Sequence, residues 1–147
     1  MTTATAPVPL EAPYYGAPFG AAVARFWKKY ATFTGRASRS EYWWWYLVSI
    51  SIAIVFNILS SLGTGGYGLQ PDADSALPRI ALLAVWVIWG IWALATFVPG
   101  LALTARRLHD TDHSAWWILI VLVPLVGPIV LLVFLLSAPV PAGKRFD

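Results

Sequence analysis

The chain has 147 residues, 59% of them hydrophobic and only 12% charged, which is too apolar for a soluble domain, where charged residues make up about a quarter. It contains no cysteine, so disulfides, thiolate catalysis and cysteine-based metal sites are excluded. The net charge of +3 comes from basic residues clustered beside apolar runs, a distribution that fits anionic lipid headgroups and argues against nucleic acid.

Residues 1–18 carry prolines at 7, 9, 13 and 18 and no basic residue. They read as a solvated, disordered Pro-rich tail, without the charged start and apolar centre of a signal peptide. Over residues 19–34, Phe19, Val23, Phe26, Trp27, Tyr30 and Phe33 recur at three-to-four spacing, with Arg25, Lys28 and Lys29 at other angles. That pattern predicts an amphipathic helix lying in the headgroup plane; a helix folded against the rest of the chain is the alternative.

Three stretches then carry no acidic or basic residue: about 43–62, 80–104 and 115–138. At about 1.5 Å of rise per residue, twenty helical residues span a hydrocarbon core of about 30 Å, so each is long enough to cross a bilayer. The third holds Pro124, Gly127 and Pro128 at its centre. Missing N–H groups there kink a single span or split it into a re-entrant hairpin, and the kinked span is the preferred reading. Residues 139–147 form a short C-terminal tail.

Arg25, Lys28, Lys29, Arg36 and Arg39 precede the first span, whereas Arg79 is the one basic residue between the first and second. This asymmetry predicts an N-terminus and an ARRLHD loop in the cytoplasm, with Trp43–Trp45 as an aromatic belt. Ser49, Ala53 and Asn57 in the first span and Thr96 and Gly100 in the second recur every fourth residue, a small-residue pattern that predicts a helix-packing seam.

Arg36, Arg39, Glu41, Arg106, Arg107, His109 and Asp110 form the candidate site, a charge cluster at the inner interface. Pairing of Arg36 or Arg39 with Asp110, and of Glu41 with Arg106 or Arg107, would tie the two span ends together. His109 and His113 stand four apart, a weak zinc-ligand spacing with no identifiable third ligand. No metal, cofactor or catalytic residue is therefore expected.

The motifs F-x-G-R-A-S-R-x-E-Y-W before the first span, RRLHD and S-x-WW between the second and third, and PLVG within the third resemble the small bacterial inner-membrane family called domain of unknown function 805. The matching positions are Gly35, Arg36, Arg39, Glu41 and Trp43, then Arg106 to Asp110, Ser114, Trp116 and Trp117. The resemblance implies a multi-pass inner-membrane protein with no established reaction. Where that family has a glycine, a basic residue and Ser-Gly, this chain has Asp112, His113 and Ala115. The expectation is an all-α, non-enzymatic integral membrane protein with three spans, a scaffold or a binder of anionic lipid or another membrane protein. A small transporter or channel component is the rival, and a lipid-headgroup enzyme using Glu41, His109 and Asp110 a third reading.

Overall fold

The computed structural model describes residues 8–63 and 76–147, and among these every regular element is helical. Four α-helices follow one another: α1 (Phe19–Lys28), α2 (Arg39–Gly63), α3 (Ala76–Asp110) and α4 (Val126–Leu136). Two 3-10 helices, Ala115–Leu122 and Pro141–Phe146, flank α4. The chain divides into two compact units, one made of Met1–Trp45 with Val98–Asp147 and the other of Tyr46–Phe97.

The helix starting at Arg39 is set by Ser38 and Glu41. Glu41 accepts from the Ser38 backbone N–H at 2.8 Å, and the Ser38 hydroxyl accepts from the Glu41 N–H at 3.2 Å. This reciprocal capping box satisfies two donors that the first turn would otherwise leave orphaned. α2 and α3 over Arg79–Asp110 are each long and apolar enough to cross a membrane.

In the Tyr46–Phe97 unit the two helices run antiparallel. Phe56 stacks on Trp89 with ring centroids 4.4 Å apart and meets the Trp86 edge at 5.0 Å, while Gly63, later in α2, lies against Leu82, earlier in α3. Ile54, Val55, Leu83, Val87 and Leu94 are exposed, so these helices are apolar on their outer faces too, as lipid requires. Of the small-residue stripe, Ser49 and Ala53 are half-buried and Asn57 is exposed. The Thr96 hydroxyl donates within its own helix, to the Trp92 carbonyl.

The other unit gathers both ends of the chain around the start of α2 and the end of α3. α1 stops at Lys28, six residues short of the predicted boundary, and its buried side takes only Phe26 from the aromatic stripe. Ala22, Arg25, Phe26 and Lys29 are buried, at the i, i+3, i+4, i+7 spacing of one helix face, and Phe26 stacks on Trp45. The helix therefore folds against its own chain, leaving Phe19, Trp27, Tyr30 and Phe33 exposed. The tail expectation needs a similar correction. Residues 1–7 lie outside the described residues, but the Val8, Pro9, Leu10 and Ala12 carbonyls all accept from the Arg25 guanidinium, which holds this Pro-rich segment in place.

Residues 115–138 do not form one kinked helix. The 3-10 helix Ala115–Leu122 turns at Pro124 and Leu125 into α4, and the chain folds back on itself. Pro124 disfavours a helical Val123, whereas Pro128 sits in the first turn of α4, where its missing N–H costs nothing. Phe134 lies against both His113 and Trp117, at centroid distances of 3.9 and 5.3 Å. The Val140 N–H then donates to the Asp110 carbonyl at 3.0 Å, so the chain returns to the end of α3 from which it left. In this fold residues 115–138 therefore form two short helices joined by a turn.

The turn after α3 is a Schellman motif: the His113 N–H donates to the Leu108 carbonyl and the Asp112 N–H to the His109 carbonyl. Asp112 occupies its left-handed position at φ 63°, the position where the resemblance places a glycine. A left-handed conformation costs an L-residue about 1–2 kcal/mol, and Asp tolerates it better than β-branched residues do. Asp112→Val is expected to lower the thermal unfolding midpoint in detergent, while Asp112→Gly should hold or raise it, despite losing the largely exposed Arg145 ion pair.

Two close approaches depend on glycine. A Cβ on Gly127 would stand 1.8 Å from the Ile120 carbonyl oxygen, and one on Gly143 would stand 2.3 Å from that of His109. Both obstacles are backbone. Gly143→Ala is expected to destabilise by at least about 1–3 kcal/mol, read as a fall in unfolding midpoint, whereas Gly20→Ala, whose Cβ meets nothing within 4 Å, should leave the midpoint unchanged or higher.

Candidate functional site

The charged residues of the two motif blocks meet in the unit that holds both chain ends. Arg107 and Asp110, one turn apart on α3, pair at 2.6 Å, and both side chains are wholly buried. Arg107 also donates through Nε to the Leu135 carbonyl and through Nη2 to the Ser137 carbonyl. These lie at the C-terminal end of α4, where carbonyls lack intrahelical partners. Exposed Arg39 reaches the same place, donating to the Leu136 and Ser137 carbonyls.

Asp110 draws in two further groups. The Tyr15 hydroxyl donates to it at 2.6 Å, and Arg36 lies 3.8 Å away. Tyr15 is half exposed as a residue, but desolvation at its hydroxyl, together with the bond to the Asp110 carboxylate, pushes the phenol up to about 12. Arg36 also grips Asp147 with two parallel bonds of 2.7 Å, the geometry that suits a guanidinium and a carboxylate best. That pairing raises the Arg36 guanidinium and lowers the Asp147 carboxyl below the usual carboxylate range.

Glu41 does not meet Arg106 or Arg107; its partner is Arg25, at 2.5 Å, with both side chains buried. Its other oxygen accepts from the Ser38 and Tyr14 N–H groups. Arg106 bonds to the Ala102 carbonyl through Nε, while its Nη2 is buried without a hydrogen-bond partner among the described residues. His109 Nδ1 hydrogen-bonds the Gly35 carbonyl at 3.1 Å, which requires the proton on that nitrogen, and its ring stacks on Phe146. His113 turns elsewhere, stacking on Phe134. The two histidines therefore do not converge on a common point.

Arg36, Arg107 and Asp110 thus share one network, which Arg39 joins through the Ser137 carbonyl; His109 turns to Gly35 and Phe146, and Glu41 belongs to a second network with Arg25. Sequence reading missed Tyr15, Arg25, Lys29 and Asp147. The buried spacing of Ala22, Arg25, Phe26 and Lys29 carried a signal for two of them, obscured by the stronger aromatic pattern on the same helix. Tyr15 and Asp147 lie far from Asp110 and Arg36 in sequence, and nothing local marks them.

Comparison with known proteins places this architecture. Residues 30–147 match the family model described as "Protein of unknown function (DUF805)". The chain belongs to the DUF805 family. Among its relatives, Inner membrane protein YhaI of Escherichia coli (strain K12) is 37% identical over 119 residues, covering 81% of this chain and 86% of the relative. Inner membrane protein YhaH of the same strain is 35% identical over 123 residues, covering 81% and 87%. No solved structure matches the chain. The family match takes in Arg36, Arg39, Glu41, Arg107 and Asp110, while Tyr15 and Arg25 lie before it.

Removing one member of a buried ion pair strands the other and costs about 3–5 kcal/mol. Asp110→Asn and Arg107→Met should each sharply reduce the yield of folded protein and its unfolding midpoint in detergent. The double variant should lose less than the sum of the two, by a coupling energy within about 0.5–3 kcal/mol.

Proposed function

We propose that this DUF805 protein is a non-enzymatic, multi-pass scaffold of the inner membrane, and that its charge cluster ties helix ends into a rigid platform at the headgroup level. The observation that carries this reading is how the cluster is used. Asp110 is surrounded by Arg107, Arg36 and Tyr15, and Glu41 by Arg25 and two backbone N–H groups. A general acid or base needs a carboxylate with room for substrate. These carboxylates serve as anchors for arginines instead.

In this reading α2 and α3 cross the bilayer, and the hairpin formed by Ala115–Leu122 and α4 enters it and returns. The N-terminus lies in the cytoplasm, on the side with the excess of basic residues. Exposed Trp27, Tyr30, Phe33, Trp116 and Trp117 supply rings suited to the bilayer boundary. Basic side chains beyond those consumed by pairing face anionic lipid or a partner membrane protein.

Reporter fusions test the topology. Fusions after Asp110 and after Asp147 are expected to report the same, cytoplasmic side, and an insertion after Gly65 the opposite side. Opposite readings at Asp110 and Asp147 would restore the single kinked span and remove the re-entrant hairpin.

A further inference from the structure

Beside the charge cluster lies a second feature that its pairing does not absorb. A cavity of about 460 Å³ is lined by Lys29, Thr32, Thr34, Glu11 and Asp147, among others. Lys29 is 3% exposed, and its ammonium is enclosed with no hydrogen-bond partner among the described residues. An ammonium carries three donors and is strongly hydrated, so enclosing it without an acceptor is costly unless an anion completes its surroundings.

The neighbouring charges do not complete them. Arg25 and Glu41 neutralise each other at 2.5 Å, and Asp147 is held by Arg36 through two bonds. Arg106 is the second buried cation with an unpartnered nitrogen, and its charge acts on Lys29. Glu11 is exposed at the cavity wall. Desolvation first, then repulsion from Arg106 and Arg25, opposed by Glu41 and Glu11, lowers the Lys29 ammonium to about 8. The enclosed Lys29 ammonium thus lacks a negative partner, while the wall of the cavity that Lys29 lines carries the Glu11 and Asp147 carboxylates.

We infer that this cavity is a binding site for a phosphodiester monoanion, whose oxygens meet Lys29 while the Thr32 and Thr34 hydroxyls donate to them. The carboxylates of Glu11 and Asp147 select a single negative charge over a dianion. Lys29 reaches the anion through its flexible four-carbon stem, by a turn of the terminal methylenes. Such a group is offered by a phospholipid headgroup and by a soluble glycerophosphodiester. Exposed Tyr30 and Phe33 lie next in the chain to the wall residues, which places apolar surface near the cavity. The inference rests on the proposal that this unit stands at the headgroup level.

The sequence has three lysines, Lys28, Lys29 and Lys144, so 13Cε-lysine labelling of the whole chain in phosphate-free maltoside micelles gives three signals to follow against pH. Adding short-chain phosphatidylglycerol, or in a separate arm glycerophosphoglycerol, should raise the Lys29 midpoint by about 1–3 pH units and leave Lys28 unmoved. A shift with the lipid alone assigns the site to membrane headgroups, and a shift with both shows that the diester suffices. Glu11→Gln should tighten binding of the diester roughly two- to fivefold. Lys29→Met should raise the unfolding midpoint of the lipid-free protein and abolish any gain on adding lipid. An unmoved Lys29 signal in both arms would overturn the site. If vesicles containing phosphatidylglycerol still bound the protein in that case, the lipid-facing platform would stand without it; if they did not, both would fall.

Discussion

A buried guanidinium must be given acceptors, and that requirement organises the unit around the end of α3. Arg107 is wholly buried and pairs with Asp110 on its own helix, yet one carboxylate cannot occupy five donors. Two of the remaining donors meet the Leu135 and Ser137 carbonyls, which the last turn of α4 leaves without intrahelical partners. Two unsatisfied sets of groups thus cancel only if α4 ends beside Arg107. The turn between the 3-10 helix Ala115–Leu122 and α4 follows from this, since a chain that ran straight on would carry those carbonyls away. It would leave the arginine with a single partner.

Arg25 repeats the device with a different source of carbonyls. An extended, Pro-rich segment makes no hydrogen bonds within itself, so the Val8, Pro9, Leu10 and Ala12 carbonyls remain available to a donor fork. Glu41 then couples that segment to the start of α2, because one carboxylate serves the capping box, the Tyr14 N–H and Arg25 together. Disturbing the cap at Ser38 would therefore also loosen the N-terminal segment, 24 residues away in sequence at Tyr14, whose carbonyl accepts from the Ser38 hydroxyl.

These two arginine sockets explain which parts of the fold could be read in advance. The long apolar helices, their charged ends and the meeting of Arg36 with Asp110 follow from residue types, and they were legible. The partner of Glu41 was not, because Arg25 lies on a helix whose aromatic residues suggest a lipid face while its inward face carries cations. The order of residues 8–18 was illegible for a deeper reason. Its contacts use backbone carbonyls, which every residue possesses, so composition and spacing leave no trace of them. The turn that leads into α4 was likewise illegible, because it brings α4 carbonyls to Arg39 and Arg107 and does not rest on Pro124 or Pro128 alone.

The distribution of satisfied and unsatisfied charge separates architecture from function. Arg25, Arg36, Arg39 and Arg107 hold chain segments in place, and their loss acts through folding. Lys29 and Arg106 do not fit that account. Each is buried and each keeps a nitrogen without a hydrogen-bond partner among the described residues. A fold stabilised only by its internal pairs would gain by replacing Lys29 with an apolar side chain of similar length, since the methylenes would stay packed and the desolvation cost would vanish. Keeping an ammonium there makes physical sense if negative charge from outside the chain reaches it. Arg25, Arg36 and Arg107 each meet a carboxylate, so the mismatch at Lys29, with Arg106 beside it, is where an external group has the most to contribute.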